Sequence, residues 1–192
     1  MRTLHVNMSN YLRNYVPGGS YFFTVVTENR APILNNDIAR NCLRAAFRHC
    51  LQDFPFHADA LVMLPDHIHA IWTLPADDCD YSKRWGIIKK HFTQSWLNLN
   101  GQEQQISLSK QRYRRRGVWQ RRFWEHTLRD QQDYNRHFDY LHYNPIKHGC
   151  TLKLSDYPYS SFHRWVKQGV YTEQWGTEYD PYFQFSGLDS VE

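Results

Sequence analysis

The sequence predicts an α+β fold of the ferredoxin-like, split βαβ kind: an antiparallel sheet with helices on one face, plus an extra helix. Three observations predict it. Runs rich in β-branched and aromatic residues alternate with runs of three-to-four-residue periodicity, in the order β-α-β-β-α-β. The two middle apolar runs are separated only by Pro65-Asp66, too short for anything but a hairpin turn. The chain has 192 residues, a length that suits one domain able to close its own core.

Each element has a local reason. "VPGGS" at 16–20 is a turn, and "YFFTVVT" at 21–27 follows it as the first strand. The stretch 35–54 carries Ile38, Cys42, Ala45 or Ala46, and Cys50 at helical spacing. Asn36 or Asp37 can cap that helix and Pro55 stops it. "FHADALVML" at 56–64 and "HIHAIWTL" at 67–74 read as paired strands. Residues 76–99 open with Asp77, Asp78 and Asp80, a solvated turn and cap. They then place Trp85, Ile88, Phe92 and Trp96 on one helical face. A fourth strand is expected around "GVWQRRF". Residues 129–145 form the extra helix, which Pro145 is expected to end. Residues 154–165 read as compact but irregular, with little regular structure after about 175. The domain is expected to span 1–175, with an N-terminal arm at 1–19 and a tail at 176–192.

The chain carries a formal charge of +4, and its positive charge is concentrated in "KQRYRRRGVWQRR" at 110–122, with Tyr113 and Trp119 interleaved. Cations for phosphates and rings for bases suit single-stranded nucleic acid better than a merely solvated loop. The four cysteines show neither a CxxC pair nor zinc spacing, as expected of reduced thiols in the cytoplasm. No apolar run is long enough for a signal peptide or a membrane span.

The motif with chemical content is "HIHA". On a strand, His67, His69, Ile71 and Thr73 share one face, while Ile68, Ala70, Trp72 and Leu74 share the other. The apolar set belongs against the helices, which leaves two imidazoles on the open face, about 6.5 Å apart at the backbone. They are either a pair of metal ligands or two hydrogen-bonded histidines, and a third ligand must come from elsewhere. In the extra helix, Tyr140 and Asn144 are four residues apart and share a face. An amide oxygen from Asn144 with two imidazoles is a set that Mg²⁺ or Mn²⁺ accepts. His137, one turn earlier, is an alternative ligand or proton carrier. Glu125 and His126 form a further pair, read as a helix-start acid and a hydrogen-bonded imidazole.

"LPDHIHAIWTLP", "YSKRWGIIKKHFT", "WQRRFWEHTLRD" and "FDYLHYNPIKHG", in that order, resemble the REP-associated tyrosine transposases. These belong to the IS200/IS605-like group of HUH single-strand nucleases. The resemblance spans roughly residues 11–165. It implies that His67 and His69 are the HUH metal ligands, that Tyr140 is the nucleophile and that Asn144 is the further metal ligand. It implies an endonuclease and transposase that cuts single-stranded DNA at palindromic hairpin repeats through a 5′-phosphotyrosine, with Mg²⁺ or Mn²⁺ as cofactor. Lys89, Lys90, Arg114, Arg115, Arg116, Arg121 and Arg122 are the expected DNA-binding residues, on a cytoplasmic monomer or homodimer. The alternative is a hairpin-binding module that does not cut. The proton acceptor for Tyr140 stays open between a metal-bound water, His137 and His142.

Overall fold

A computed structural model describes residues 13–177, 185 and 188. Most of the expected arm at 1–19 and nearly all of the tail at 176–192 lie outside the described residues. The strands are β1 (Ser20–Val26), β2 (His57–Met63), β3 (His67–Thr73) and β4 (Trp124–Thr127). The helices are α1 (Asp37–Asp53), α2 (Tyr81–Asn98), α3 (Leu108–Arg112), α4 (Gln131–Lys147) and α5 (Phe162–Lys167). The sheet runs β2-β3-β1-β4 with every pairing antiparallel, which is the split βαβ arrangement.

The face carrying Tyr21, Phe23, Val25, Ile68, Ala70 and Trp72 packs on α1 and α2 in one apolar cluster. Trp72 stacks on Trp85 with ring centroids 4.3 Å apart, and Phe56 lies 4.1 Å from Trp72 on its other side. Asn36 caps α1 by accepting from the backbone N–H of Ile38 and Ala39. Cys42, Ala46 and Cys50 face inward as their spacing requires, whereas Ile38 is exposed, since it sits in the first turn beyond the edge of the sheet contact. Asp80 caps α2. Asp78, expected to be solvated, instead grips the buried guanidinium of Arg84 at 2.7 and 3.0 Å. Arg84 also donates to the carbonyls of Phe54, Pro55 and Asp80, so its buried charge is paired and hydrogen-bonded.

Three expectations are corrected. The fourth strand is "WEHT", not the run at 117–123. Val118 and Trp119 are buried, but only a single bridge, Thr27 to Trp119, forms there before exposed Arg121 and Arg122 leave the sheet. Glu125 therefore lies buried in β4 rather than at a helix start, and accepts from the Tyr81 hydroxyl at 3.2 Å. Pro145 does not end α4. The ring removes one N–H, but the turn closes beyond it: His148 N–H donates to Asn144 O at 2.9 Å and Cys150 N–H to Pro145 O at 2.8 Å.

The histidine face is not open. α4 lies across it, packing Phe138, Tyr140 and Leu141 against Phe22, Ile71 and Val62. The outer edge of β2 is also occupied. Val62 bridges Ser160, Met63 N–H donates to Tyr159 O, and Ser161 N–H donates to Leu61 O.

Candidate active site

The hairpin turn and two strands fix the imidazoles. His67 and His69 are buried, with ring centroids 4.8 Å apart and planes at 82°. Each is anchored through Nδ1. Asp66, in the turn before β3, accepts from His67 Nδ1 at 2.6 Å. A carboxylate only accepts, so the hydrogen sits on Nδ1 and the lone pair on Nε2. Asp66 also pairs with Arg30 at 3.0 Å. Burial pushes its carboxyl up, but the bonds and charges of His67 and Arg30 outweigh this and hold it at about 2. His69 Nδ1 lies 3.0 Å from the hydroxyl of Thr24, its cross-strand neighbour in the β1–β3 ladder. Both rings are thus oriented by a second layer of groups, as ligating histidines are.

The helix supplies the rest. Tyr140 is fully buried, and its ring centroid is 5.7 Å from that of His69 and 6.0 Å from that of Phe22. One turn on, the Asn144 amide nitrogen donates to the Tyr140 carbonyl at 2.8 Å, which fixes the amide so that Oδ1 faces away from the helix. His67 Nε2 and Asn144 Oδ1 are buried and have no hydrogen-bond partner among the described residues. Lys147 Nζ donates to Tyr140 Oη at 3.1 Å. His148 stands edge-on to His67 at 5.0 Å, and Phe185 edge-on to Tyr140 at 5.3 Å. The structure therefore brings the Tyr140 ring to the His67–His69 pair, with Asn144 one turn further along the same helix.

A second polar cluster lies beside them. His126 on β4 and Asp133 and His137 on α4 place three ligand-type atoms within 4.8 Å of one another. The Asp133 carboxylate accepts from His126 Nε2 at 2.9 Å and from Arg129 Nε at 2.9 Å. His137 Nδ1 is 2.9 Å from the Asp133 carbonyl, which again leaves its lone pair on Nε2. Burial raises the Asp133 carboxyl, but Arg129 and His126 hold it well below the usual carboxylate range. Burial in turn lowers His137. The guanidinium already meets this carboxylate's need for positive charge, so the cluster is a hydrogen-bonded support rather than the better cation site.

The basic residues divide. Lys90, Arg114, Arg121 and Arg122 are exposed. Lys89 is tied to the main chain, donating to Gln120 O at 2.5 Å and Arg121 O at 3.3 Å, and burial lowers its ammonium to about 8. Arg116 makes a two-pronged ion pair with Glu103, and Arg115 leans over the exposed Tyr113 ring at 5.2 Å. No described helix is long and apolar enough to cross a membrane.

A split βαβ sheet with paired histidines facing a helical tyrosine defines a class of site, and the comparisons give it a family. The family profile described as "Transposase IS200 like" matches residues 15–144. The chain belongs to this IS200-like transposase family, and within it to the REP-associated tyrosine transposases. It is 42% identical over 169 residues to the REP-associated tyrosine transposase of Escherichia coli, covering 88% of this chain and 91% of that one. A Haemophilus influenzae protein named for the same group is 44% identical over 169 residues, covering 88% and 94%. The solved structure of the REP-associated tyrosine transposase bound to a REP hairpin matches with a TM-score of 0.74 and 40% identity, over 90% of this chain and 96% of that one.

Sequence reasoning did not single out Asp66, Thr24, Asp133 or Lys147. Asp133 had a signal, because it stands four residues before His137. Lys147 had one too, because it stands seven residues, two helical turns, after Tyr140.

Proposed function

We propose that this chain cuts and rejoins single-stranded DNA at palindromic hairpin repeats, with Tyr140 as nucleophile and Mg²⁺ or Mn²⁺ held by His67, His69 and Asn144. One observation carries the reading: ligand atoms of Asn144 and His67 are buried without a hydrogen-bond partner among the described residues, and His69, the ring next to His67, lies 5.7 Å from the Tyr140 ring. A buried lone pair left unmade costs about 1–3 kcal/mol, and a ligand bound there is one way a fold recovers that cost. The donor set, two imidazole nitrogens and an amide oxygen, fits a borderline-hard divalent ion. When bound, that ion polarises the scissile phosphate as a Lewis acid.

The chain's own residues do the remainder. Packing against Phe22 and His69 holds the Tyr140 ring, and so confines the approach of Oη to phosphorus. The Oη–P bond forms as the P–O3′ bond breaks, giving a 5′-phosphotyrosine and a free 3′-OH. The new phosphodiester keeps the bond energy, so a 3′-OH reverses the step without ATP. Exposed Lys90, Arg114, Arg121 and Arg122, with the Tyr113 ring, offer phosphate contacts and a stacking platform. The hairpin partner is carried over from the relative solved with a REP hairpin.

The test is a single-stranded hairpin oligonucleotide incubated with Mn²⁺ or Mg²⁺ and run on a denaturing gel. A covalent adduct on the 5′ side of the break is expected. Tyr140→Phe abolishes it while hairpin binding survives, and the His67→Ala/His69→Ala double variant also loses it. Binding with no adduct under either ion would leave a hairpin-binding module. An adduct lost in Tyr143→Phe but kept in Tyr140→Phe would overturn the choice of nucleophile.

A further inference from the structure

Resting on that reading, we propose that Lys147 is a further catalytic residue, whose ammonium holds the Tyr140 phenol oxygen and the phosphate it attacks. Seven residues of α-helix turn about 700°, so Lys147 projects within about 20° of the direction of Tyr140, two turns on. The side chain uses that alignment: Nζ donates to Oη at 3.1 Å and lies 4.9 Å from the ring centroid. The contact exists because Pro145 does not stop the helix. α4 runs on through Lys147, and a helix ending at Asn144 would not aim the amine back along its own axis.

The chemistry follows from the donor count. An ammonium has three N–H donors and no acceptor, so Oη accepts and the phenol's own hydrogen is turned elsewhere. An ammonium that donates to Oη can turn a further N–H to a non-bridging phosphate oxygen arriving at the same place. Lys147 is exposed while Tyr140 is buried, so this amine links the enclosed nucleophile to solvent. During the step the Oη–P bond forms and the P–O3′ bond breaks. The phenol's proton leaves, and the 3′ oxygen ends with a proton. Lys147 keeps all three of its own and acts by charge and position, not as a base. After cleavage it pairs with the phosphotyrosine diester and holds it for the returning 3′-OH.

The test compares the unmodified chain with Lys147→Met, which keeps the apolar stem, and Lys147→Arg, which keeps the charge. The readouts are single-turnover adduct formation and rejoining on a hairpin oligonucleotide with Mn²⁺, hairpin affinity, and thermal melting. Lys147→Met is expected to slow both chemical steps about a hundredfold, the scale of losing one donor at a developing charge. Hairpin affinity and melting stay unchanged, and Lys147→Arg recovers most of the rate. Adduct formation by Lys147→Met within twofold of the unmodified rate overturns the proposal, as does an affinity loss that accounts for the whole rate loss. Failure of the unmodified chain to form any adduct overturns the nuclease reading and this proposal with it. A fast Lys147→Met enzyme overturns this proposal alone.

Discussion

Ile68, Ala70 and Trp72 on one face of β3, and His67, His69 and Ile71 on the other, are all buried, yet their neighbours differ in kind. The first three meet α1 and α2 through close-packed rings and methyls. The histidines are oriented by Asp66 and Thr24, and His69 meets α4 at the Tyr140 ring. Both faces bury nitrogens with no partner among the described residues, but they are not equivalent. The indole N–H groups of Trp72 and Trp85 can only donate, and each brings a large apolar ring that repays the loss. The His67 Nε2 lone pair and the Asn144 carbonyl oxygen bring no such return. One side of the sheet makes the fold stable, and the other spends part of that stability on a site.

Substitutions can break this division, and the largest effect is expected on the apolar side. Trp72→Ala removes a ring stacked on Trp85 and packed against Phe56 and should cost about 3–5 kcal/mol in urea unfolding. A cost under 1 kcal/mol would mean that the helical layer is not the main source of stability. On the other side, Asp66→Ala removes the group that fixes the His67 tautomer. Calorimetric titration should show Mn²⁺ affinity falling about 10- to 100-fold, with little change in unfolding. Loss of folding instead would reclassify Asp66 as structural.

Acid should expose a third contrast, within the α4 face itself. His142 is fully buried, its Nε2 on Ser161 and its Nδ1 facing the Phe138 carbonyl and the Tyr171 hydroxyl. Burial, aided by the Arg164 charge and opposed by the Phe138 bond, lowers it to about 3. The unfolded chain then takes up the proton first, near pH 6.5. The stability is complete above that pH and is lost as the pH falls toward 3, by about 2 kcal/mol at pH 5. Asp139, which reaches His142 through Tyr171 and is raised by burial, offsets part of the loss at the acid end. Urea unfolding at pH 7 and pH 5 measures it, and His142→Asn should flatten the difference. The smallest effect is expected from Thr24→Val, which removes one hydrogen-bond partner of His69. It should weaken Mn²⁺ binding by about 0.5–1.5 kcal/mol in the same titration.

Much of this was legible in the sequence. Period two in "HIHAIWTL" separated the two faces, and the order of periodic runs predicted the sheet. The i,i+4 pair of Tyr140 and Asn144 lies in one helix, whose Tyr140 ring reaches His69. What was not legible has particular causes. β4 is short and polar, because Glu125 is met by Tyr81 from a distant segment and His126 by Asp133 of the following helix, so its pattern gives no strand signal. Pro145 is a helix breaker by local rules, yet the backbone bonds beyond it and its burial keep α4 intact. Arg116 and Lys89 look like free charge in a basic run, but Glu103 and two carbonyls engage them.

The blocked rim of β2 bears on how copies of this chain can meet. Backbone groups of Leu61 and Met63 that would invite another strand are already taken by 159–161. Covering an edge in this way is one means by which a sheet discourages main-chain pairing with another copy. Among the described residues, the sheet's other border is β4, a strand of only four residues.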